Sequence, residues 1–192
     1  DLQYEFEEKT GYKLVVDLFD TNEEMYPVIK NNTADYDVIC ASDYMIEKLI
    51  SEDLLDEINY DNVPNAENVA DSIKPFMEAF DPGMKHSLPH TWGTYGIMYN
   101  KSMVDEEIDS WDVLWDQNYK DKIVMPNSLR ECYMIAAKKL GYSMNTADES
   151  QIQEMTQTLI DQKPLVYSFA NDSAREIMIG DSAAMAVITS GE

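Results

Sequence analysis

Apolar positions recur along this chain with two alternating periods. Leu2, Phe6 and Lys9 sit at helical spacing in the opening segment, and Gly11 stands where a helix ends. Tyr12 to Phe19 then reads as a strand rich in β-branched residues. Thr21 or Asn22 can cap a helix through Glu23 to Lys30. Tyr36 to Ala41 is a short apolar run of the kind that forms a buried parallel strand. Ser42 follows as a cap, and Met45, Leu49, Ile50 and Leu54 share one face of a helix from Tyr44 to Leu55. The polar stretch from Asn59 to Asn68 contains Pro64 and reads as loop.

Leu88 to Asn100 breaks the rhythm. Gly93 and Gly96 interrupt an aromatic, β-rich run, which suits a strand that bends or lets another backbone approach closely. A crossing between two domains, 1–93 and 94–192, is placed here. Ser110 then caps a helix at Trp111 to Trp115, and Lys122 to Pro126 is a strand. Asn127-Ser128-Leu129 leads into a helix with the stripe Met134, Ala137, Leu140, which ends at Gly141. Asp148 to Ser150 caps Gln151 to Gln162, Leu165 to Phe169 is a strand, Ser173 to Ile179 is a helix, and Ala183 to Thr189 is the last strand. Alternating strands and helices predict an α/β fold. The first helix leads into a strand with nothing before it, as in a βαβ unit cut at its start.

Composition narrows the function. Apolar residues make up 44% of the chain, enough for a core and too many for a disordered acidic tail. No stretch approaches the ~20 apolar residues of a membrane-spanning helix, and no signal peptide is recognisable. With 37 acidic against 14 basic residues the formal charge is −23, which disfavours a nucleic-acid partner. A cationic ligand fits the charge, although a solvated surface accounts for most of it. Cys40 and Cys132 are far apart and read as two buried small side chains.

Catalytic motifs are missing. The chain has no nucleophile elbow, phosphate loop or dinucleotide fingerprint. His86 and His90 are four apart, but Pro89 between them disfavours a helical metal pair. Arg130 lies close enough in sequence to activate Cys132, yet that cysteine sits on an amphipathic segment and faces the core. No catalytic residue, metal or cofactor is expected.

What does recur is a polar step where a strand gives way to a helix: Ser42-Asp43-Tyr44, Asn127 to Glu131, Ala170 to Ser173, and Ser190-Gly191-Glu192. Ligands of open α/β sheets sit outside the carboxyl ends of strands. Ser42, Ser128 and Ser173 also read as ordinary helix caps, and Glu131 suits the first turn of its helix. Tyr44 has no such explanation.

Several segments resemble one family. They are Glu7-Glu8-Lys9-Thr10-Gly11, Tyr36-Asp37-Val38-Ile39, Ser42 to Lys48, Trp92-Gly93-Thr94-Tyr95-Gly96, Ser110 to Trp115, Tyr119 to Lys122, and Arg130-Glu131 followed by Lys138 to Ser143. In colinear order they resemble the spermidine/putrescine-binding proteins of bacterial polyamine ABC importers. The resemblance implies a two-lobed α/β fold of the type II periplasmic-binding-protein kind, with mixed sheets flanked by helices. It implies a polyamine held in an interlobe cleft, permease subunits as partners, and a place on the extracytoplasmic or periplasmic side of the membrane. Membrane contact would run only through an anchor or permease outside this chain, and no chemistry would be done.

Carried over by position, Ser42 and Tyr44 resemble the hydroxyl and aromatic wall of the first lobe. Glu131 resembles the carboxylate that receives an amine, and Asn171 occupies a polar position of the second lobe. Ser128 stands where the best-known members have an aspartate, and Thr189 where an aromatic is usual. The resemblance also implies that the chain is a piece of a longer receptor. On that expectation residues 1–93 form an incomplete lobe with open strand edges, and 94–192 a more nearly complete one. A receptor for another solute on the same scaffold, or an enzyme on a two-lobed α/β fold, are the alternatives.

Overall fold

Three helices form where the helical period lay in the first half: Leu2–Thr10 (α1), Asn22–Lys30 (α2) and Asp43–Ser51 (α3). The computed structural model describes residues 2–190. α1 ends at Gly11, whose φ of 75° only glycine adopts without strain. Thr21, not Asn22, caps α2, its hydroxyl accepting from the Glu24 N–H at 3.2 Å. α3 stops at Ser51, short of the expected Leu55. Asp53 takes a left-handed φ of 57°, its N–H donates to the Ile50 carbonyl, and the Leu54 N–H donates to that of Leu49. This is a Schellman ending, which normally brings the residue after the turn back onto the apolar face. Leu54 does pack there, and so it prolonged the apolar pattern beyond the helix.

Met25, Met45 and Leu49 make a small core between α2 and α3. A short helix, Lys74–Met77 (α4), and two 3-10 turns at Tyr60–Asn62 and Pro64–Asn68 follow. Buried Asp81 then gathers a loop by accepting from the N–H groups of Lys85, His86 and Ser87 and from the Ser87 hydroxyl.

The two strands expected in this half do not form a ladder among the described residues. Their segments do touch through side chains. Tyr36 donates to Asp17 Oδ2 at 2.8 Å, Phe19 meets Tyr36 edge-on, and Asn22 donates to Ser42 Oγ at 3.0 Å. The two hydrogen-bonded pairs are offset by 19 and 20 residues, so the segments run in the same direction. With no ladder and no cover, Leu18 is 90% and Val38 86% exposed. Cys40 is exposed too, where a buried thiol was expected.

The second half builds one four-stranded mixed sheet from Tyr95–Tyr99 (β1), Ile123–Met125 (β2), Val166–Phe169 (β3) and Met185–Thr189 (β4). Its order is β1-β4-β2-β3, with β2 parallel to β3 and β4, and β1 antiparallel to β4. The inner strands are the two continuous apolar runs, as burial on both faces requires. Side chains alternate across the sheet with period two. Ile123, Met125, Met185 and Val187 join Leu114, Ile135 and Leu165 in one core, while Val124 and Ala186 join Ala174 and Met178 in another.

Leu129–Leu140 (α5) and Glu149–Gln162 (α6) pack on each other, and Ala174–Ile179 (α7) supplies the second core. Asp148 caps α6 by accepting from the N–H groups of Ser150 and Gln151. Ser110 caps as expected, but Trp111–Trp115 is a single 3-10 stretch. By contacts the chain divides into two units, Asp1–His90 and Thr91–Glu192.

Candidate functional site

Because β2, β3 and β4 run in parallel, their carboxyl ends share one edge of the sheet. Antiparallel β1 delivers its first residue, Tyr95, to the same edge, directly opposite Thr189. This edge brings together four of the expected residues: Ser128, Glu131, Asn171 and Thr189. A cleft of about 90 Å³ opens there, lined among others by Tyr95, Asn171, Asp172 and Thr189. Ser42 and Tyr44 belong to the other unit. Gly191 and Glu192, from the last polar step, lie outside the described residues.

Glu131 sits in the first turn of α5, where the helix dipole favours a carboxylate. Its Oε1 accepts from the Tyr95 hydroxyl at 3.2 Å. Its Oε2 is buried and has no hydrogen-bond partner among the described residues. A buried acceptor left unmatched costs about 1–3 kcal/mol, more if charged. The arrangement therefore favours an incoming hydrogen-bond donor, and a cationic one most of all.

None of the three serines read as caps uses its side chain that way: Ser42, Ser128 and Ser173 make no side-chain cap bond. Asparagines organise two of these steps instead. The Asn171 amide accepts from the Asn127 N–H at 3.0 Å and donates to the Asn127 carbonyl at 3.4 Å, tying the end of β3 to the step before α5. In the first unit, Asn22 accepts from the Ser42 N–H at 3.1 Å and donates to its hydroxyl at 3.0 Å. Tyr44 donates to Glu23 Oε1 at 2.8 Å while its ring lies on the Met25–Met45–Leu49 core.

Thr189 explains one glycine. A Cβ on Gly93 would lie 2.9 Å from the Thr189 methyl, so only glycine fits without displacing it. Next to it, the Ser190 N–H donates to the Thr94 carbonyl and the Thr94 N–H to the Ser190 hydroxyl. Cys132 points inward, its thiol donating to the Pro126 carbonyl at 3.3 Å. Burial, with a smaller push from the Glu131 charge, raises that thiol to about 11, so it is not a nucleophile near neutral pH. His86 lies with Nδ1 at 3.1 Å from the Leu55 carbonyl, a structural contact.

Sequence reasoning missed Tyr95, Asn22 and Asp172. Tyr95 was visible as an aromatic between two glycines, but its arrival at the site depends on the antiparallel sense of β1.

A parallel-sheet edge carrying hydroxyls, amides and a carboxylate with a buried, unmatched oxygen suits a class, the small-solute binders of the periplasmic-binding-protein fold. The chain belongs to the bacterial extracellular solute-binding protein family, whose model matches residues 2–192. It is 30% identical over 171 residues to the spermidine/putrescine-binding periplasmic protein of Salmonella typhimurium, a match covering 88% of this chain and 49% of that protein. Among solved structures, a spermidine/putrescine ABC transporter protein of Listeria monocytogenes matches with a TM-score of 0.91 at 33% identity, over 99% of this chain and 58% of that one. The spermidine/putrescine ABC transporter substrate-binding protein of Streptococcus pneumoniae matches with a TM-score of 0.74 at 37% identity, over 99% and 58% of the two chains. The expected α/β class, a mixed sheet flanked by helices, is therefore established. The chain spans about half the length of the curated relatives it matches. No helix among the described residues is long and apolar enough to cross a membrane.

Proposed function

We propose that this chain is part of an extracytoplasmic polyamine receptor that hands spermidine or putrescine to the permease subunits of an ABC importer. Binding and release are its whole task, with no bond made or broken. The observation that carries this reading is Glu131, whose Oε2 is buried without a partner among the described residues, beside the cleft that Tyr95, Asn171 and Thr189 line. A polyamine meets such a site with an ammonium for the carboxylate and methylenes for the ring. The relatives named for spermidine and putrescine support the same ligand class.

In this reading Glu131 receives an ammonium, and Ser128 and Thr189 add polar contacts. Asn171 holds the step in place. Ser42 and Tyr44 are the first unit's contribution, a hydroxyl and a ring. The domain division at 1–93 and 94–192 belongs to the same proposal, each domain supplying its own set.

Calorimetric titration of the full-length protein with putrescine and spermidine tests the reading. Micromolar binding corresponds to about −8 kcal/mol. Glu131→Ala removes a bond to a charged group and should weaken binding by about 1.5–3 kcal/mol. Unchanged affinity would reject Glu131 as the amine receptor, and no heat with either polyamine would reject the ligand class.

A further inference from the structure

The Tyr95–Glu131 pair splits the two carboxylate oxygens into different tasks. Oε1 already accepts the Tyr95 hydroxyl at 3.2 Å, while Oε2 is buried and, among the described residues, unpartnered. Tyr95 stands at the start of β1 opposite Thr189 and lines the cleft beside Asn171 and Asp172. Tyr95 thus forms part of the cleft wall while its hydroxyl holds the carboxylate.

We infer that Tyr95 is a positioning and specificity-determining residue that makes Glu131 a one-oxygen receptor for a primary ammonium and disfavours a guanidinium. The inference rests on the polyamine reading above. An ammonium is a compact point donor satisfied by a single oxygen. A guanidinium binds a carboxylate best through two parallel N–H···O bonds, one to each oxygen. At Glu131 that fork competes with the Tyr95 hydroxyl for Oε1. Removing the hydroxyl frees Oε1 and the orientation of the carboxylate at once. The two amine types should then respond in opposite senses.

The test compares putrescine with its double-guanidinium analogue, diguanidinobutane, in full-length protein carrying the native residues, Tyr95→Phe, Glu131→Gln, or both changes. Tyr95→Phe keeps the ring, the strand and its register. It should weaken putrescine by roughly tenfold, the scale of one hydrogen bond to a charged group. Diguanidinobutane should hold its affinity or gain, so the ratio of the two dissociation constants moves by about tenfold or more. In the Glu131→Gln background Tyr95→Phe should change that ratio by less than about twofold, because coupled sites are non-additive.

An equal loss for both ligands, or a loss that persists in the Glu131→Gln background, overturns the inference: Tyr95 would then act through its ring or through the strand alone. Native protein that binds putrescine, is weakened by Glu131→Gln and ignores Tyr95→Phe overturns this inference and leaves the polyamine reading standing. Native protein that binds neither putrescine nor, in the titration above, spermidine overturns both.

Discussion

Two apolar runs of similar character meet different fates in this chain. Ile123-Val124-Met125 becomes an inner strand with every residue fully buried, whereas in Tyr36 to Ala41 Val38 is 86% exposed. Both runs are followed by a polar step and a helix, and beside both an asparagine amide engages backbone at that step. The difference is company. β2 has β4 on one side, β3 on the other, and a helical cover over each face. The first unit's two extended segments lie alongside each other through Tyr36–Asp17 and Phe19–Tyr36, without a backbone ladder among the described residues. Apolar, β-branched sequence nominates a strand; hydrogen-bonded neighbours and cover make one.

The sharpest way to break that comparison is to remove one leucine from each unit. Leu114 is fully buried in the main core of the second unit, and Leu18 is 90% exposed. Leu114→Ala should destabilise its unit by about 2–5 kcal/mol in urea unfolding, the range for buried leucines. Leu18→Ala should stay within about 0.5 kcal/mol of the parent. Equal losses would mean that the extended segment is covered in solution, and the contrast between the units would collapse.

A smaller effect separates the two asparagines. Asn171→Ala leaves the Asn127 N–H and carbonyl without the bonds at 3.0 and 3.4 Å that tie the step before α5 to the end of β3. Asn127 is exposed, so water can take up its freed groups, and the expected loss of stability is about 0.5–1.5 kcal/mol, the net range for a hydrogen bond. Asn22→Ala breaks the matching contacts to Ser42, exposed like Asn127, but one of its two partners is a rotatable hydroxyl and not a backbone group, so the loss should be smaller, under about 0.5 kcal/mol. Denaturant midpoints of the two variants rank them directly. A larger loss for Asn22→Ala would show that its step, and not that of Asn171, is the more tightly built.

Most of the second unit was legible in the sequence because its signals agree with each other. Apolar runs of strand length sit between capped amphipathic helices, and Gly141 with its left-handed φ ends α5 where the stripe ends. The first unit misled where a local signal needed a distant partner. Tyr12 to Phe19 and Tyr36 to Ala41 have the composition of strands, but composition does not say what they pair with. Leu54 extended an apolar face past a helix that Asp53 had already turned. In the site, Glu131 stood out by residue type and position. Tyr95 did not, since only the antiparallel register opposite Thr189 brings it to the carboxyl edge. The three serines do stand at the N-cap positions where Ser, Asn and Asp are favoured, but their side chains make no cap bond. Asparagine amides elsewhere in the chain hold the steps of Ser42 and Ser128 instead.

The smallest predicted effect concerns how the first unit holds α2 to α3 beyond its three-residue core. Glu52 receives hydrogen bonds from Lys48 and Tyr26 and an ion pair from Lys30 at the partly exposed junction of these helices. The Lys48 bond first, then those of Tyr26 and Lys30, lower its carboxyl from 4.5 to about 2. A carboxyl lowered in the folded state binds its proton more readily when unfolded. Its contribution is therefore complete above about pH 4.5, shrinks as the pH falls, and is gone below about pH 2. Exposed ion pairs are screened by salt and contribute little, so the effect should be small and largest at low ionic strength. Glu52→Gln should lower the thermal midpoint at neutral pH, and the gap to the parent should close progressively between pH 4.5 and 2. Leu114→Ala should show no such closing, because core packing carries no titrating group. A Glu52→Gln deficit that stays constant down to pH 2 would mean that the side chain acts by packing alone, and that the first unit, like the second, is held by contact and not by charge.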